Sequence, residues 1–158
     1  MRVGIGYDAH PLVSGRRLVL GGVQVPFGKG LSGHSDADVL THAIIDALLG
    51  AAGLKDIGHQ FPPEDPKYKG ISSLVLLKEV DKLIKAKGFK VGNVDAVVVA
   101  QEPQLSPFIG EMCGRLSQAL AIASEQVTVK ATTTEGLGFA GREEGMAAYA
   151  IALVEEVS

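Results

Sequence analysis

The sequence contains little of what several protein classes require. Its 158 residues include one cysteine, Cys113, so an internal disulfide and a cysteine-based zinc site are both excluded. No apolar run is long enough to cross a bilayer, and no signal peptide is visible before the first strand-like residues. The net charge of −3 provides no basic surface for duplex nucleic acid. These absences favour a cytoplasmic protein that acts on small molecules and binds neither membranes nor nucleic acid.

Apolar residues, in contrast, are abundant. They make up 46% of the chain, and the mean hydropathy of +0.22 is high for a protein of this kind. The length allows one domain with a substantial core. We therefore expect either a buried subunit interface or a sheet that is covered on both faces.

The order of strand-like and helix-like segments predicts one α+β domain, an α/β sandwich with helices packed on one face of a mixed sheet. Strands are predicted at residues 1–7, 91–101, 126–131 and 146–157, with a hairpin of 17–20 and 22–27. Helices are predicted from Ser35, the expected N-cap with Asp38 as a partial capping box, and over 71–87 and 106–123. Residues 28–30, 53–70 and 132–145 are predicted to be loops or turns, and a structureless segment as long as 53–70 is usually functional or disordered.

Three residues near the beginning of the chain form a metal-site pattern. Asp8 and His10 are two residues apart at the end of a predicted strand, where extended backbone would point both side chains to the same side. His42, in the following helix, would complete a set of one carboxylate and two imidazoles. Such a set leaves one tetrahedral position open, as catalytic zinc requires. The alternative is an ordinary group of hydrogen-bonded polar residues at a strand end.

The predicted helix carries Asp38, His42 and Asp46 at four-residue intervals, on one stripe of its surface. Asp46 or Asp38 could therefore accept a hydrogen bond from His42 and fix its tautomer. Directly before this helix, His34 and Ser35 lie where unpaired backbone N–H groups attract anions, which indicates a phosphate contact. Simple capping by Ser35 is compatible with that role.

A second group of polar residues follows the predicted strand 126–131. The hydroxyls of Thr132, Thr133 and Thr134 suit phosphate oxygens, and the carboxylate of Glu135 could hold Mg²⁺ against a diphosphate. The alternative is a β-branched strand end followed by a turn. Arg142, in the glycine-rich turn, could bind phosphate or pair with a neighbouring glutamate. Together these patterns indicate metal-assisted phosphoryl or diphosphate chemistry without naming a substrate.

The chain as a whole resembles the family of 2-C-methyl-D-erythritol 2,4-cyclodiphosphate synthases. The resemblance runs from end to end with nearly gapless spacing, and several of its blocks are specific to that family. Its blocks are residues 6–10 (GYDAH), 33–38 (GHSDAD), 46–51 (DALLGA), 56–58 (DIG), 61–62 (FP), 65–66 (DP), 69–70 (KG), 92–95 (GNVD), 130–135 (KATTTE) and 137–142 (LGFAGR).

The resemblance implies a phosphorus–oxygen lyase of the non-mevalonate isoprenoid pathway. Its substrate would be 4-diphosphocytidyl-2-C-methyl-D-erythritol 2-phosphate, whose 2-phosphate attacks the β-phosphorus of the same molecule and releases CMP. Family members are homotrimers with active sites between adjacent subunits, which would account for the hydrophobic excess. A phosphate nucleophile is already ionised near neutral pH, so we predict that no side chain needs a strongly tuned pKa.

Position by position, the resemblance also implies roles for individual residues. Asp8, His10 and His42 would hold one Zn²⁺ per subunit, and Glu135 would hold Mg²⁺ or Mn²⁺ on the substrate diphosphate. His34 and Thr133 would stabilise the charge of the transition state. Segment 53–70 would cover the methylerythritol part. The remaining substrate contacts would be Ala9, Ser35, Asp56, Ile57, Gly58, Phe61, Pro62, Pro63, Glu64, Asp65, Ala100, Gln101, Glu102, Pro103, Gln104, Leu105, Ser106, Ala131, Thr132, Thr134, Phe139 and Arg142.

Two positions depart from the family pattern. Pro63 stands where many relatives have an aspartate, so a contact to the methylerythritol hydroxyls would be lost or moved to Glu64 or Asp65. Gln104 stands where a lysine is frequent, which should matter little if cytosine is recognised by main-chain groups. Some relatives bind an isoprenoid diphosphate on the trimer axis through residues that match Phe139, Arg142 and Glu144, all of which are present.

Two other functions remain as alternatives. A metal-dependent phosphohydrolase could use the same zinc site, but it would need a general base beside the metal, and no free carboxylate is clearly placed for that. A non-catalytic protein that binds CDP or an isoprenoid diphosphate is the second alternative. Replacing His42 with alanine distinguishes these classes, because turnover should collapse if the zinc is catalytic, while CDP affinity should fall only modestly.

Overall fold

Two strands from opposite ends of the chain lie side by side in the main sheet. In the computed structural model, which describes residues 1–158, β1 (Arg2–Ser14) pairs antiparallel with β7 (Gly145–Glu156). On the other side of β7 lies β5 (Phe89–Val99), antiparallel to it, and then β6 (Val127–Thr132), parallel to β5. The short strand β4 (Lys29–Leu31) pairs with the end of β1. The sheet is therefore mixed, with the order β4-β1-β7-β5-β6.

Three long helices pack against this sheet. Helix α1 (Val39–Ala51) contacts β1 and β7, α3 (Ser73–Ala86) contacts α1 and β5, and α4 (Ile109–Leu120) contacts α3 and β6. Two single-turn helices are α2 (Ile57–Gln60) and α5 (Gly138–Gly141). The predicted single α+β domain with a mixed sheet is confirmed. None of the helices is long and apolar enough to pass through a bilayer.

The six predicted strands are all present, but not every boundary is right, and β4 is a seventh strand that the sequence does not predict. The predicted hairpin is present as β2 (Leu18–Leu20) and β3 (Val23–Val25), which pair only with each other. The predicted end of the first strand at residue 7 is wrong, because β7 pairs with β1 as far as Pro11 and β4 continues the pairing to Ser14. The predicted loop at residues 28–30 is also wrong, since β4 begins inside it.

Three predictions for loops and helix starts need similar correction. The segment 53–70 is not structureless, because it contains α2 and a 3-10 turn at Pro66–Tyr68. The predicted helix at 106–123 starts with a separate 3-10 turn, Ser106–Phe108, and Ser106 is not its N-cap. The predicted turn at 132–145 includes α5. Each missed element is three or four residues long, too short for a periodic pattern to show.

Helix α1 begins later than predicted, at the carboxylate of Asp38 rather than at Ser35. Asp38 is the N-cap and is fully buried. Its carboxylate accepts hydrogen bonds from the N–H and hydroxyl of Thr41, and from the N–H groups of Gly21 and Gly22. Ala37, directly before it, has a φ of 56°, which no helical residue adopts. The cap thus joins α1 to the hairpin loop, a long-range contact that a local motif does not reveal.

The two faces of the sheet differ in what covers them. Alternate side chains of β5 and β7 point toward the helices and are buried, including Val94, Val98 and Ala150. The opposite face remains open in this chain. Its exposed apolar side chains are Val3, Ile5, Tyr7, Tyr149 and Ile151. The hydrophobic excess of the sequence is therefore concentrated on a sheet face that has no cover within one chain.

Two glycines in β1 let α1 lie unusually close to the sheet. A Cβ added at Gly4 would collide with the carbonyl oxygen of Ala47, and one added at Gly6 would collide with that of Ala43. These obstacles are helix backbone, which cannot move aside as a flexible side chain can. The close approach brings the first turns of α1 next to the side chain of Asp8.

Candidate metal centre and active site

Asp8, His10 and His42 meet where β1 passes beneath the beginning of α1. The Asp8 Oδ2 atom lies 2.9 Å from His10 Nε2 and 3.1 Å from His42 Nδ1, and the two histidine nitrogens are 3.4 Å apart. Both residues of β1 face the helix, as the strand alternation predicts. The three residues that the sequence pattern selected are therefore brought together, each with one ligand atom facing the others.

The geometry of this cluster fits a tetrahedral metal ion. Ligand bonds of about 2.0–2.1 Å set the donor atoms of a tetrahedral zinc site roughly 3.4 Å apart. The observed separations of 2.9–3.4 Å are close to that value. His10 Nδ1 lies 3.0 Å from the carbonyl oxygen of Ser32, so it carries the hydrogen and leaves the Nε2 lone pair for the metal. The set is able to hold a metal ion with one coordination position open.

The charges within the cluster shift the pKa of two of its members. Burial alone would raise the pKa of Asp8, but the hydrogen bonds that His10 and His42 donate when both nitrogens of a ring carry hydrogen hold it below its usual value. Burial alone would lower the pKa of His42, but the hydrogen bond and charge of Asp8 raise it. Both shifts show that the cluster attracts positive charge, whether that charge is a proton or a metal ion.

The outer nitrogen of His42 has partners that the sequence did not suggest. His42 Nε2 lies 2.8 Å from Ser73 Oγ and 3.1 Å from Ser35 Oγ. The prediction that Asp38 or Asp46 accepts this hydrogen bond is wrong. Asp38 caps α1, and Asp46 accepts the N–H of Ile57 at 2.9 Å. The four-residue spacing along the helix brings the carboxylates near His42 but does not point them at its ring.

A cavity of about 270 Å³ opens beside the cluster. Its walls come from β1, from the turn before α1 and from segment 53–70. Two further lining residues, Tyr68 and Leu76, are not among the predicted contacts. Leu76 lies one helical turn after Ser73, and the ring of Tyr68 packs edge-on against Phe61 at 5.5 Å between centroids. The predicted residues that line the cavity are Asp8, His10, His34, Ser35, His42, Ile57, Gly58, Phe61 and Pro63.

Other predicted contacts of segment 53–70 lie outside this cavity. Asp56 caps α2 and lies 2.7 Å from His59 Nδ1, which holds its pKa below the usual value. Asp65 caps the 3-10 turn and accepts the N–H of Lys67. Pro62 and Glu64 do not line the cavity either. Ala9 points to the open face of the sheet, opposite to its neighbours in β1, so its side chain cannot reach the cavity.

A second predicted region lies at the end of β6. Ten residues that the resemblance selected surround one cavity of about 600 Å³. The loop after β5 supplies most of them, and β6 supplies the others. They are Ala100, Gln101, Glu102, Pro103, Gln104, Leu105, Ser106, Ala131, Thr132 and Thr133.

The turn after β6 presents hydroxyl groups and a carboxylate to solvent. The N–H of Glu135 donates to Thr133 Oγ1 at 3.2 Å, so the threonine hydroxyl keeps its own hydrogen free to donate. Glu135 has a φ of 54°, and the N–H of Gly136 donates to Gln101 Oε1 at 3.2 Å. Thr134 Oγ1 donates to the carbonyl oxygen of Leu137 and is therefore occupied. Thr133 and Glu135 are the members of this turn that remain available to a ligand.

The two regions are well separated within one chain. Strand register connects Ala9 to Ala147, Ala147 to Val99, and Val99 to Thr132. Three strand spacings of about 4.8 Å place the ends of β1 and β6 roughly 14 Å apart. The cluster of Asp8 also faces the helices, while Thr133 borders a cavity of about 330 Å³ on the open face.

Phe139, Arg142 and Glu144, which match the axial site of some relatives, do not all line one cavity. Phe139 borders the same cavity on the open face as Tyr7 and Tyr149. Arg142 Nε donates to Glu144 Oε1 at 2.5 Å, and both side chains are exposed. The arginine thus pairs with a glutamate two residues away, one of the two roles that the sequence left open for it.

Comparison with known proteins gives consistent results. Residues 1–155 match the YgbB family. The chain is 65% identical over 156 residues to the 2-C-methyl-D-erythritol 2,4-cyclodiphosphate synthase of Pelotomaculum thermopropionicum, covering 99% of this chain and 96% of the relative. An IspF–CDP complex from Plasmodium falciparum superimposes with a TM-score of 0.87 at 34% identity, covering 99% and 97% of the two chains. The bifunctional IspDF from Campylobacter jejuni gives a TM-score of 0.96 at 42% identity over 99% of this chain, which spans 42% of that longer protein.

Fold, site and relatives together define a single-domain α+β enzyme with a cluster of one aspartate and two histidines that can hold a metal ion. More particularly, the chain belongs to the YgbB family, that of the 2-C-methyl-D-erythritol 2,4-cyclodiphosphate synthases. The family membership expected from the sequence blocks is confirmed.

Proposed function

We propose that this chain converts 4-diphosphocytidyl-2-C-methyl-D-erythritol 2-phosphate to 2-C-methyl-D-erythritol 2,4-cyclodiphosphate and CMP. An oxygen of the 2-phosphate forms a bond to the β-phosphorus. The bond from the β-phosphorus to the oxygen bridging the two phosphates breaks, and CMP leaves with the electron pair. The main support is the Asp8–His10–His42 cluster beside a cavity, in a chain 65% identical to a synthase of that name.

The first part of the mechanism concerns the metal cluster. We propose that Asp8, His10 and His42 hold Zn²⁺, because a set of two imidazoles and one carboxylate suits this ion. Zinc bound there would supply Lewis-acid polarisation of a phosphate oxygen. His34 is exposed beside the same cavity, where its ring can donate to a phosphate whose negative charge increases during the attack.

The second part concerns the turn after β6. The free hydroxyl hydrogen of Thr133 can donate to a phosphate oxygen, and the exposed carboxylate of Glu135 can hold Mg²⁺ or Mn²⁺ on the diphosphate. The cavity formed by residues 100–106 and 131–133 is the proposed place for the cytidine. No side chain has to remove a proton from the nucleophile, since the 2-phosphate is already ionised at neutral pH.

We further propose that the active site combines the two regions from adjacent subunits of a homotrimer. A diphosphate spans only a few ångströms, whereas the two regions of one chain are separated by three strand spacings and face different sides of the sheet. The open face, with Tyr7, Tyr149 and Ile151 exposed, is the surface available for the subunit contact. An isoprenoid diphosphate on the trimer axis, near Phe139 and Arg142, stays a prediction that calorimetric titration with geranyl diphosphate would check.

Phosphorus NMR of the reaction tests the proposed function directly. The purified protein is incubated with the proposed substrate and Mg²⁺, with and without a zinc chelator. We expect CMP and a cyclic diphosphate, and we expect both to disappear when zinc is removed. CMP together with an open-chain diphosphate would instead identify a phosphohydrolase. No reaction from a zinc-loaded trimer would contradict catalysis and leave a CDP-binding protein as the function to pursue.

A further inference from the structure

The hydrogen bonds around His42 continue beyond the metal ligands, through a serine to a second aspartate. His42 directs Nδ1 at Asp8 Oδ2, 3.1 Å away, and Nε2 at Ser73 Oγ, 2.8 Å away. Ser73 is the first residue of α3 and is fully buried. Its hydroxyl donates to Asp36 Oδ1 through a short hydrogen bond. Neither Ser73 nor Asp36 takes part in the proposed cyclisation.

The direction of these hydrogen bonds determines the state of the histidine ring. An ionised carboxylate only accepts hydrogen bonds, so the hydroxyl hydrogen of Ser73 points to Asp36. The serine oxygen is then left as an acceptor, and its partner, His42 Nε2, must carry a hydrogen. In the neutral ring, Nδ1 consequently holds the free lone pair, and Nδ1 is the atom that faces Asp8 and His10.

Asp36 is itself held in place by several backbone groups. Its Oδ2 accepts the N–H of Ser73 at 2.9 Å, and its Oδ1 accepts the N–H of Asp38 at 3.1 Å. Its own N–H donates to the carbonyl oxygen of Ile71 at 3.1 Å. Ser72, the N-cap of α3, makes no capping hydrogen bond with its side chain, so Asp36 serves as the acceptor at this helix terminus. The same carboxylate therefore ties together the starts of α1 and α3.

We propose that Ser73 and Asp36 are positioning residues that fix the tautomer and orientation of His42, so that Nδ1 is presented to the metal. This inference rests on the metal site of the proposed function. It assigns to that site two residues that hold a metal ligand without contacting the metal. Ser35 Oγ, at 3.1 Å from Nε2, is a weaker alternative acceptor, because it already accepts the N–H of Ala37 at 3.2 Å. Loss of Ser73 alone should therefore weaken metal binding without abolishing it.

The test compares Ser73→Ala with Ser72→Ala, a control at the exposed neighbouring serine. Zinc affinity is measured without substrate by competition with a chromophoric chelator. Outer hydrogen-bond partners of metal ligands are typically worth about 10–100-fold in affinity, and the remaining bond from Ser35 favours the lower end, roughly tenfold. We expect that loss for Ser73→Ala and none for Ser72→Ala. Equal affinities in the wild type and Ser73→Ala would overturn the inference.

The ring nitrogens of His42 give a readout that a general loss of packing would not change. Long-range ¹H–¹⁵N spectra of the metal-free protein, recorded above the pKa of His42, distinguish the two tautomers. We expect the Nε2–H form in the wild type and a mixture in Ser73→Ala. A pure Nε2–H form in the variant would contradict the inference even if zinc affinity fell.

Two further variants cover a failure of Ser73→Ala to fold. Ser73→Thr keeps the hydroxyl and should restore most of the affinity, while Asp36→Asn keeps the shape but removes the charge and should lose less than Ser73→Ala. If neither variant follows this order, the inference is wrong. Its failure is distinct from failure of the proposed function, which would appear as a wild-type protein that binds no zinc or forms no cyclic product.

Discussion

The metal cluster and the turn after β6 are both predicted to contact the same diphosphate, yet they are built very differently. Asp8, His10 and His42 are largely buried, and each contacts the others or a fixed neighbour. Thr133 and Glu135 are both exposed, and their side chains have almost no partners in the chain. The first region is complete within one chain, whereas the second presents unused hydrogen-bonding groups. In the proposed trimer, metal affinity would therefore be a property of the subunit, and catalysis a property of the assembly.

The largest expected effect comes from removing one of the three side chains of the metal cluster. His42→Ala should abolish stoichiometric zinc binding and lower turnover by about 10³-fold or more, because two ligands cannot hold the metal in place. Metal analysis and a CMP-release assay measure the two effects. His59→Ala is the matched control, since His59 pairs only with Asp56 and should leave one zinc per subunit. A variant at position 42 with normal turnover would exclude the zinc mechanism.

Glu135→Gln should lower turnover by about 10²-fold while zinc binding stays normal, because the changed group belongs to the turn after β6 and not to the metal cluster.

Mixing Glu135→Gln with His42→Ala tests whether the two regions combine across subunits. If they do, random mixed trimers contain about one quarter intact sites, and activity returns to about that fraction. If each site belongs to one chain, the mixture stays inactive. Activity is measured after the two proteins are unfolded and refolded together.

Gly6→Ala tests how closely β1 and α1 must approach. The added methyl group collides with the backbone of α1 at Ala43, so the free energy of unfolding should fall by about 1–3 kcal/mol. Zinc affinity should fall as well, since His42 moves away from Asp8. Gly50→Ala in the same helix meets no atom within 4 Å and should be neutral or stabilising by about 0.5–1 kcal/mol. Urea denaturation of both variants gives the comparison, and an unchanged Gly6→Ala would refute the close contact.

The smallest expected effect is the pH dependence of stability. Burial lowers the pKa of His42, but the hydrogen bond and charge of Asp8 raise it by more. In the folded metal-free protein this pKa therefore lies above its unfolded value of about 6.5. This group therefore stabilises the metal-free protein below that pH, and the stabilisation is lost as the pH rises through the folded pKa. Zinc requires the neutral ring and should stabilise more as the pH rises.

Thermal denaturation with and without zinc tests whether stabilisation by zinc increases with pH. The zinc-induced increase in Tm should be larger near about pH 8 than near about pH 6. His42→Ala, measured in the same way, serves as the control and should show almost no increase at either pH. An increase in the wild type that is the same at both pH values would show that protons and metal do not compete at His42.

The sequence predicts the metal cluster better than it predicts the hydrogen bonds around that cluster, for a physical reason. Alternation along a strand is a local rule, so it places Asp8 and His10 on one side without knowledge of the fold. The contact of Ser73 with His42 spans 31 residues and depends on how α3 docks against α1. The capping of α1 by Asp38 likewise depends on N–H groups from the hairpin loop. Short elements such as β4 and α2 are formed by tertiary contacts and leave no periodic pattern.

The central position of β7 also determines when the protein can fold during synthesis. Residues 145–156 pair with β1 on one side and β5 on the other, so the middle of the sheet stays open until they have left the ribosome. Asp8 and His10 lie opposite Ala148 and Met146 of that strand. Asp8 and His10 are therefore synthesised long before their partners in β7, and their strand is fixed only when β7 follows. Such long-range pairing is intrinsically slow, so we expect the proposed metal uptake to follow the docking of β7 as a late step in folding.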